Sequence, residues 1–281
     1  EKKLRYNRIF VGEISTLATT QISTILLASA SFGVASFVIG SFIGRLAALV
    51  VYFLLSPWAW GLEWHWVILK KILASFGIPF QLSVFFGIIN GAIIPVFLGR
   101  FPGPGGWTGP QAVGFITWVS GVLAIPTILA VIINQIVFPL MSRLQTNLPL
   151  AQRMLTRIIK AGALTTLPGI SILIALAPEI TRIFYTPNWL PALPALRLAS
   201  IQIVLIALTA PAMDTLLAFG ETRFYRNMHA FWAVFQWIIT VPLVLWLGFW
   251  GFSLAGIFVS STALYSYFRL QKHFKFSLSQ I

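Results

Sequence analysis

The chain contains no cysteine. That excludes a disulfide framework, a thiolate metal site and a cysteine nucleophile. Acidic residues are almost as scarce: Glu1, Glu13, Glu63, Glu179, Asp214 and Glu221 are the complete set. A membrane-embedded glycosyl or acyl transferase needs a carboxylate or histidine facing an outer-leaflet substrate. Glu179 is the one acid predicted near the outer surface, so enzymatic chemistry is not expected. His65, His229 and His273 lack ligand spacing, and no metal site is expected. There is no Gly-x-x-x-x-Gly-Lys phosphate loop and hence no recognisable ATPase; no cofactor is implied. Gly251-Phe-Ser-Leu-Ala255 falls one residue short of a nucleophile elbow, and it opens an apolar run instead of following a strand. The chain begins at Glu1 with neither an initiator Met nor a signal-peptide pattern, and the expectation is a piece of a longer protein.

Charge is scarce too. Charged residues make up 9% and hydrophobic residues 58%, against about 25% charged in a soluble domain. The composition is that of a polytopic, all-α membrane protein whose solvent is the lipid bilayer. The net charge of +13 does not imply nucleic acid, because the cations edge apolar runs instead of striping a soluble surface. Attraction to anionic headgroups accounts for them.

A helix needs about 20 mostly apolar residues to cross the hydrocarbon core. About eight segments qualify, near 9–30, 34–55, 71–98, 111–140, 154–178, 192–219, 228–248 and 251–269. Fifteen of the nineteen Lys and Arg residues fall in alternate gaps between them. Cytoplasmic loops carry such an excess, so both ends of the chain are expected in the cytoplasm of a multi-pass cell-membrane protein. The turn-rich stretches at 100–110 and 185–191 then lie outside. Trp58, Trp60, Trp64 and Trp66 favour the headgroup level and mark 58–71 as an interfacial lead-in. Pro79, Pro95, Pro126, Pro139, Pro168 and Pro211 are predicted to kink spans. Gly40-x-x-x-Gly44 and Gly87-x-x-x-Gly91 are predicted close-packing sites.

A few polar residues interrupt the apolar runs. Arg45 lies near the middle of the second span, where an unpaired charge costs at least about 2.5–3.5 kcal/mol. Either it meets an anionic substrate group such as a pyrophosphate, or it pairs with Glu13 on the adjacent span. Arg197, early in the sixth span, either snorkels to the headgroups or points into a cavity. Asn90, Asn134, Gln135 and Gln202 are amides that stitch helices or touch ligand. Asp214, close to Arg223 and Arg226 in sequence, is expected to form a local ion pair or cap.

Specific strings resemble a known family. Ser31-Phe-Gly-Val-Ala-Ser-Phe-Val-Ile-Gly40, followed by Ser56-Pro-Trp58, is similar to the sixth helix of bacterial oligosaccharide flippases. Phe76-Gly-Ile-Pro79, Val137-Phe-Pro-Leu-Met-Ser-Arg-Leu-Gln145, Leu176-Ala-Pro-Glu-Ile180, Asn188-Trp-Leu-Pro-Ala-Leu-Pro194 and Ala210-Pro with Leu217-Ala-Phe-Gly220 follow in order. They cover nearly the whole chain and resemble the polysaccharide exporter branch of the multidrug/oligosaccharidyl-lipid/polysaccharide exporter superfamily.

The resemblance implies a two-lobe exporter fold. Residues 1–66 would supply the last two N-lobe helices and a cytoplasmic interfacial linker, and 67–281 a six-helix C-lobe. It implies a transporter that flips polyprenyl-pyrophosphate-linked oligosaccharide to the outer leaflet, with other polysaccharide-assembly membrane proteins as further partners. Arg45 is then the expected pyrophosphate ligand, with Asn90, Gln202 and Arg197 as further substrate contacts. The alternatives are a cation-coupled drug exporter of the same superfamily and, in a different class, a membrane glycosyltransferase or ligase. The chain departs from many relatives in carrying Asn90 where they have an acid, and in the inserted Pro/Gly-rich 102–110 stretch.

Overall fold

The computed structural model describes residues 6–55 and 65–274. Trp58, Trp60, Trp64, Glu63 and the cations Lys2, Lys3, Arg5 and Lys275 lie outside the described residues. Every regular element among those described is helical. The chain divides into two compact units, Glu1–His65 and Trp66–Ile281.

The first unit is a helical hairpin of α1 (Tyr6–Ser29) and α2 (Ala35–Leu55). Its packing follows from small residues. Gly40 and Gly44 are buried on α2 against Thr24 and Thr20 of α1. A Cβ at Gly44 would lie 1.9 Å from the Thr20 hydroxyl and 3.1 Å from the Thr16 carbonyl. The Gly-x-x-x-Gly spacing thus brings the two backbones together as predicted. Gly87 and Gly91 do not behave this way: a Cβ on either would meet nothing within 4 Å.

The second unit opens with α3 (Trp66–Ile72), a π-helical turn (Leu73–Gly77), α4 (Ile78–Ile93) and a second π-helical turn (Ile94–Leu98). Both wide turns accompany proline. Pro79 has no N–H to offer the Ser75 carbonyl four residues back; the Thr222 hydroxyl, from the start of another helix, donates to that carbonyl at 2.7 Å. Pro95 lies within the second wide turn. The remaining helices are α5 (Gly109–Arg143), α6 (Leu148–Phe184), α7 (Leu193–Ala218), α8 (Thr222–Leu247), α9 (Trp250–Thr262) and α10 (Tyr265–Phe274). A short 3-10 turn, Pro187–Ala192, leads into α7.

Seven helical segments among the described residues are long and apolar enough to span a bilayer, and the protein is a multi-pass membrane protein. The eighth expected segment, 251–269, is covered by α9 and α10 in succession, with a turn at Ala263 and Leu264.

Two apolar clusters close the ends of this unit. One gathers Phe115, Trp118, Leu196, Val244 and Phe249 where α5 and α7 begin and α8 ends. The other joins Met141 and Leu216, at the opposite ends of α5 and α7, to Leu155 near the start of α6 and Leu270 of α10. Near the second, the Arg269 guanidinium of α10 donates to Glu221 at 2.9 Å.

Candidate functional site

Within the first unit, Arg45 sits at the midpoint of α2 and lines an open groove with Glu13, Thr16, Thr20, Ser41 and Tyr52. Thr16 and Thr20 of α1 and Ser41 of α2 supply its hydroxyls, while Ala48, Leu49 and Phe53 make the rest of its wall apolar. Buried Gly12 leaves room for the Tyr52 ring, whose hydroxyl donates to a Glu13 carboxylate oxygen at 3.3 Å. The alternative role for Arg45, a pair with Glu13, does not form: among the described residues Arg45 makes no ion pair, and the Glu13 carboxylate takes Tyr52 instead. The guanidinium thus stands at mid-span in a groove that it shares with the Glu13 carboxylate, with no direct ion pair between them.

The second unit holds a cavity of about 310 Å³ between α4, α7, α8 and α9, and Asn90 and Gln202 both line it. Asn90 bridges helices, its amide donating to the Trp232 carbonyl at 3.3 Å. Gln202 packs on Gly256 of α9, where a Cβ would lie 2.3 Å from its Oε1. The Trp232 indole N–H donates to Thr262 at 2.9 Å, and the buried Gln236 amide donates to Thr240 at 2.9 Å.

Asp214 faces this cavity too, which corrects its expected pairing with Arg223 or Arg226. Among the described residues it has no ion partner, and Arg226 bonds to its neighbour Asn227 at 2.8 Å. Arg197 is exposed near the start of α7 and lies outside the cavity. The four expected contacts therefore separate: Asn90 and Gln202 share one cavity, Arg45 belongs to the hairpin groove, and Arg197 joins neither. Of the other two amides, Asn134 is half-buried and Gln135 exposed, and neither lines the cavity. Missing from the expected set are Tyr225, His229, Trp232 and Gln236, four cavity residues one or two turns apart on α8. Their spacing of four, three and four was the available signal.

Residues 1–194 match the family described as polysaccharide biosynthesis protein. The chain belongs to that family. No curated protein sequence matches it. Its fold is that of two solved structures. A MATE mutant aligns with TM-score 0.74 at 16% identity, over 96% of this chain and 63% of that one. The lipid II flippase MurJ in an inward closed conformation aligns with TM-score 0.64 at 17% identity, over 91% and 55%. This member of the polysaccharide biosynthesis family spans less than two thirds of the length of either structure. Among its described residues no group of three or more His, Asp or Glu side chains is placed to hold a metal ion.

Proposed function

We propose that the whole protein flips a polyprenyl-pyrophosphate-linked oligosaccharide from the cytoplasmic to the outer leaflet of the cell membrane. The observation that carries this reading is a polysaccharide-biosynthesis sequence on a fold shared with a lipid II flippase. The hairpin then belongs to the N-lobe and α3–α10 to the C-lobe, and the two lobes rock around the substrate. Sugar and pyrophosphate are too polar for hydrocarbon; the groove holding Arg45 offers hydroxyls and a guanidinium engaged in no direct ion pair among the described residues. No bond is made or broken, so the protein is a transporter and not an enzyme. Other polysaccharide-assembly membrane proteins would supply the lipid-linked glycan and take it away.

The test is reconstitution of the full-length parent in liposomes with lipid-linked oligosaccharide extracted from its own cells. Oxidation by an impermeant reagent reports glycan in the outer leaflet. Export above protein-free liposomes, with the glycan still on its lipid, is expected. No export sinks the flippase reading, and transfer of the glycan to another acceptor favours the transferase. The unpaired Asp214 favours cation coupling as a further element. Export that rises with an imposed sodium or proton gradient, and loses that response in Asp214→Asn, is the expected arm.

Orientation rests on the cationic loops. Among the described residues, Arg143, Arg153, Arg157 and Lys160 gather where α5 ends and α6 begins, and three of them lie on the exposed face of α6. That end is assigned to the cytoplasm. An impermeant maleimide is expected to label Asn188→Cys in intact cells and Arg153→Cys only after permeabilisation. The reverse pattern inverts the topology.

A further inference from the structure

The 99–108 loop and the 3-10 turn before α7 form one structure at the end of the second unit opposite the cationic loops. Between them lies an open cleft of about 790 Å³, lined by Trp107, Gln111, Phe115, Asn188 and Trp189 among others, with no charged residue in its wall. The Phe115 ring meets Trp107 edge-on at 5.2 Å and Trp189 edge-on at 5.9 Å, so both indoles pack on one phenyl ring. Both indoles are half-buried, with part of each ring left to the cleft. Trp189 is backed by Trp118, stacked at 5.6 Å, and Trp107 by Phe249 at 6.2 Å.

The walls are held before any ligand arrives. Gly103 takes a φ of +76°, and a Cβ there would sit 2.0 Å from the Val244 carbonyl, so the loop lies directly on the end of α8. Thr108 and Gln111 form a reciprocal cap on α5: the Thr108 hydroxyl accepts from the Gln111 backbone N–H, and the Gln111 side-chain Oε1 accepts from the Thr108 N–H at 2.9 Å. That bond leaves the Gln111 NH2 group to the cleft. Asn188 is exposed at the opposite rim.

We infer that this cleft is a carbohydrate subsite that holds neutral sugar rings of the glycan on the outer side. Aromatic faces with amide donors and acceptors around them suit a pyranose ring, whose axial C–H groups are weak donors to a π-face and whose hydroxyls pair with amides. An anionic headgroup would find no cation here. The volume lies in the roughly 300–1,000 Å³ range of small-ligand sites, and rigid walls lower the ordering cost of binding. The assignment of this face to the outside, and of a glycan as cargo, rests on the function proposed above.

The experiment uses the purified full-length protein in nanodiscs and, as probe, the lipid-free oligosaccharide released by mild acid from the lipid-linked pool of its own cells. Saturation-transfer NMR and calorimetry measure binding. The wild type should bind the probe, and Trp107→Ala should weaken it about tenfold. Asn188→Ala, an exposed change that leaves the aromatic packing intact, should weaken it about fivefold. Should Trp107→Ala fail to fold, Asn188→Ala decides alone. No binding by the wild type, or equal binding by wild type and the folded variants, overturns the subsite. Flipping by the wild type with cleft-independent glycan binding removes the subsite and leaves the flippase. Cleft-dependent binding without any flipping does the opposite.

Discussion

Arg45→Ala in the full-length parent is expected to cut export of lipid-linked glycan by roughly ten- to a hundredfold while membrane abundance stays near normal. The magnitude is that of a lost charge-assisted hydrogen bond, about 1.5–3 kcal/mol. Arg45 stands in the middle of α2 with no ion partner among the described residues, so removing it orphans no buried carboxylate and should not unfold the hairpin. Arg45→Lys keeps a positive charge but loses the planar fork that grips two phosphate oxygens at once, and should recover only part of the rate. A structural role makes the opposite forecast: low abundance in Arg45→Ala, restored by a second change of Glu13→Gln. Normal export per folded molecule in Arg45→Ala would remove the guanidinium from the substrate path.

Gly44→Leu should have the largest effect on stability. A Cβ alone at this position falls 1.9 Å from the Thr20 hydroxyl, and the Thr16 carbonyl behind it is backbone and cannot swing away. Overpacking a well-filled contact costs about 1–3 kcal/mol, and an isobutyl group leaves no relief except separation of α1 from α2. Severalfold lower abundance and a lower melting temperature are expected. Gly91→Leu, placed in open space, should change neither and serves as the matched control. Equal abundance of the two variants would show that the helices meet elsewhere.

Run length made most of the fold legible. Seven apolar segments became long helices because their length and hydropathy leave no competing structure in lipid. The eighth holds a turn at Ala263 and Leu264, where no proline or glycine announces it. Near sites were easier to read than distant ones. Arg45, Asn90 and Gln202 stood out as polar residues in apolar runs, and the structure places each on a groove or cavity. Asp214 does not meet Arg223 or Arg226 because α8 turns Tyr225 and His229, not those two cations, toward its cavity. Of the α8 face made by Tyr225, His229, Trp232 and Gln236, the expected span at 228–248 leaves out Tyr225, and the other three do not stand out in an aromatic-rich run. The cleft between Trp107 and Trp189 joins segments some eighty residues apart, and no local pattern reports such a meeting.

The α6 helix has a fixed seat in the bilayer. Lys160 and Glu179 are both exposed and nineteen residues apart, about 28 Å along the axis and close to the roughly 30 Å hydrocarbon thickness. Below Lys160 the helix continues with Arg153 and Arg157 on its exposed face, over buried Ala151 and Leu155. A thicker membrane therefore finds no spare apolar turn to swallow: to match it, α6 must become more upright or drag a cation below the headgroups. A thinner one is met by tilt, pivoting on the same collar. Lipid composition is thereby converted into the angle of a helix that packs on both α5 and α7.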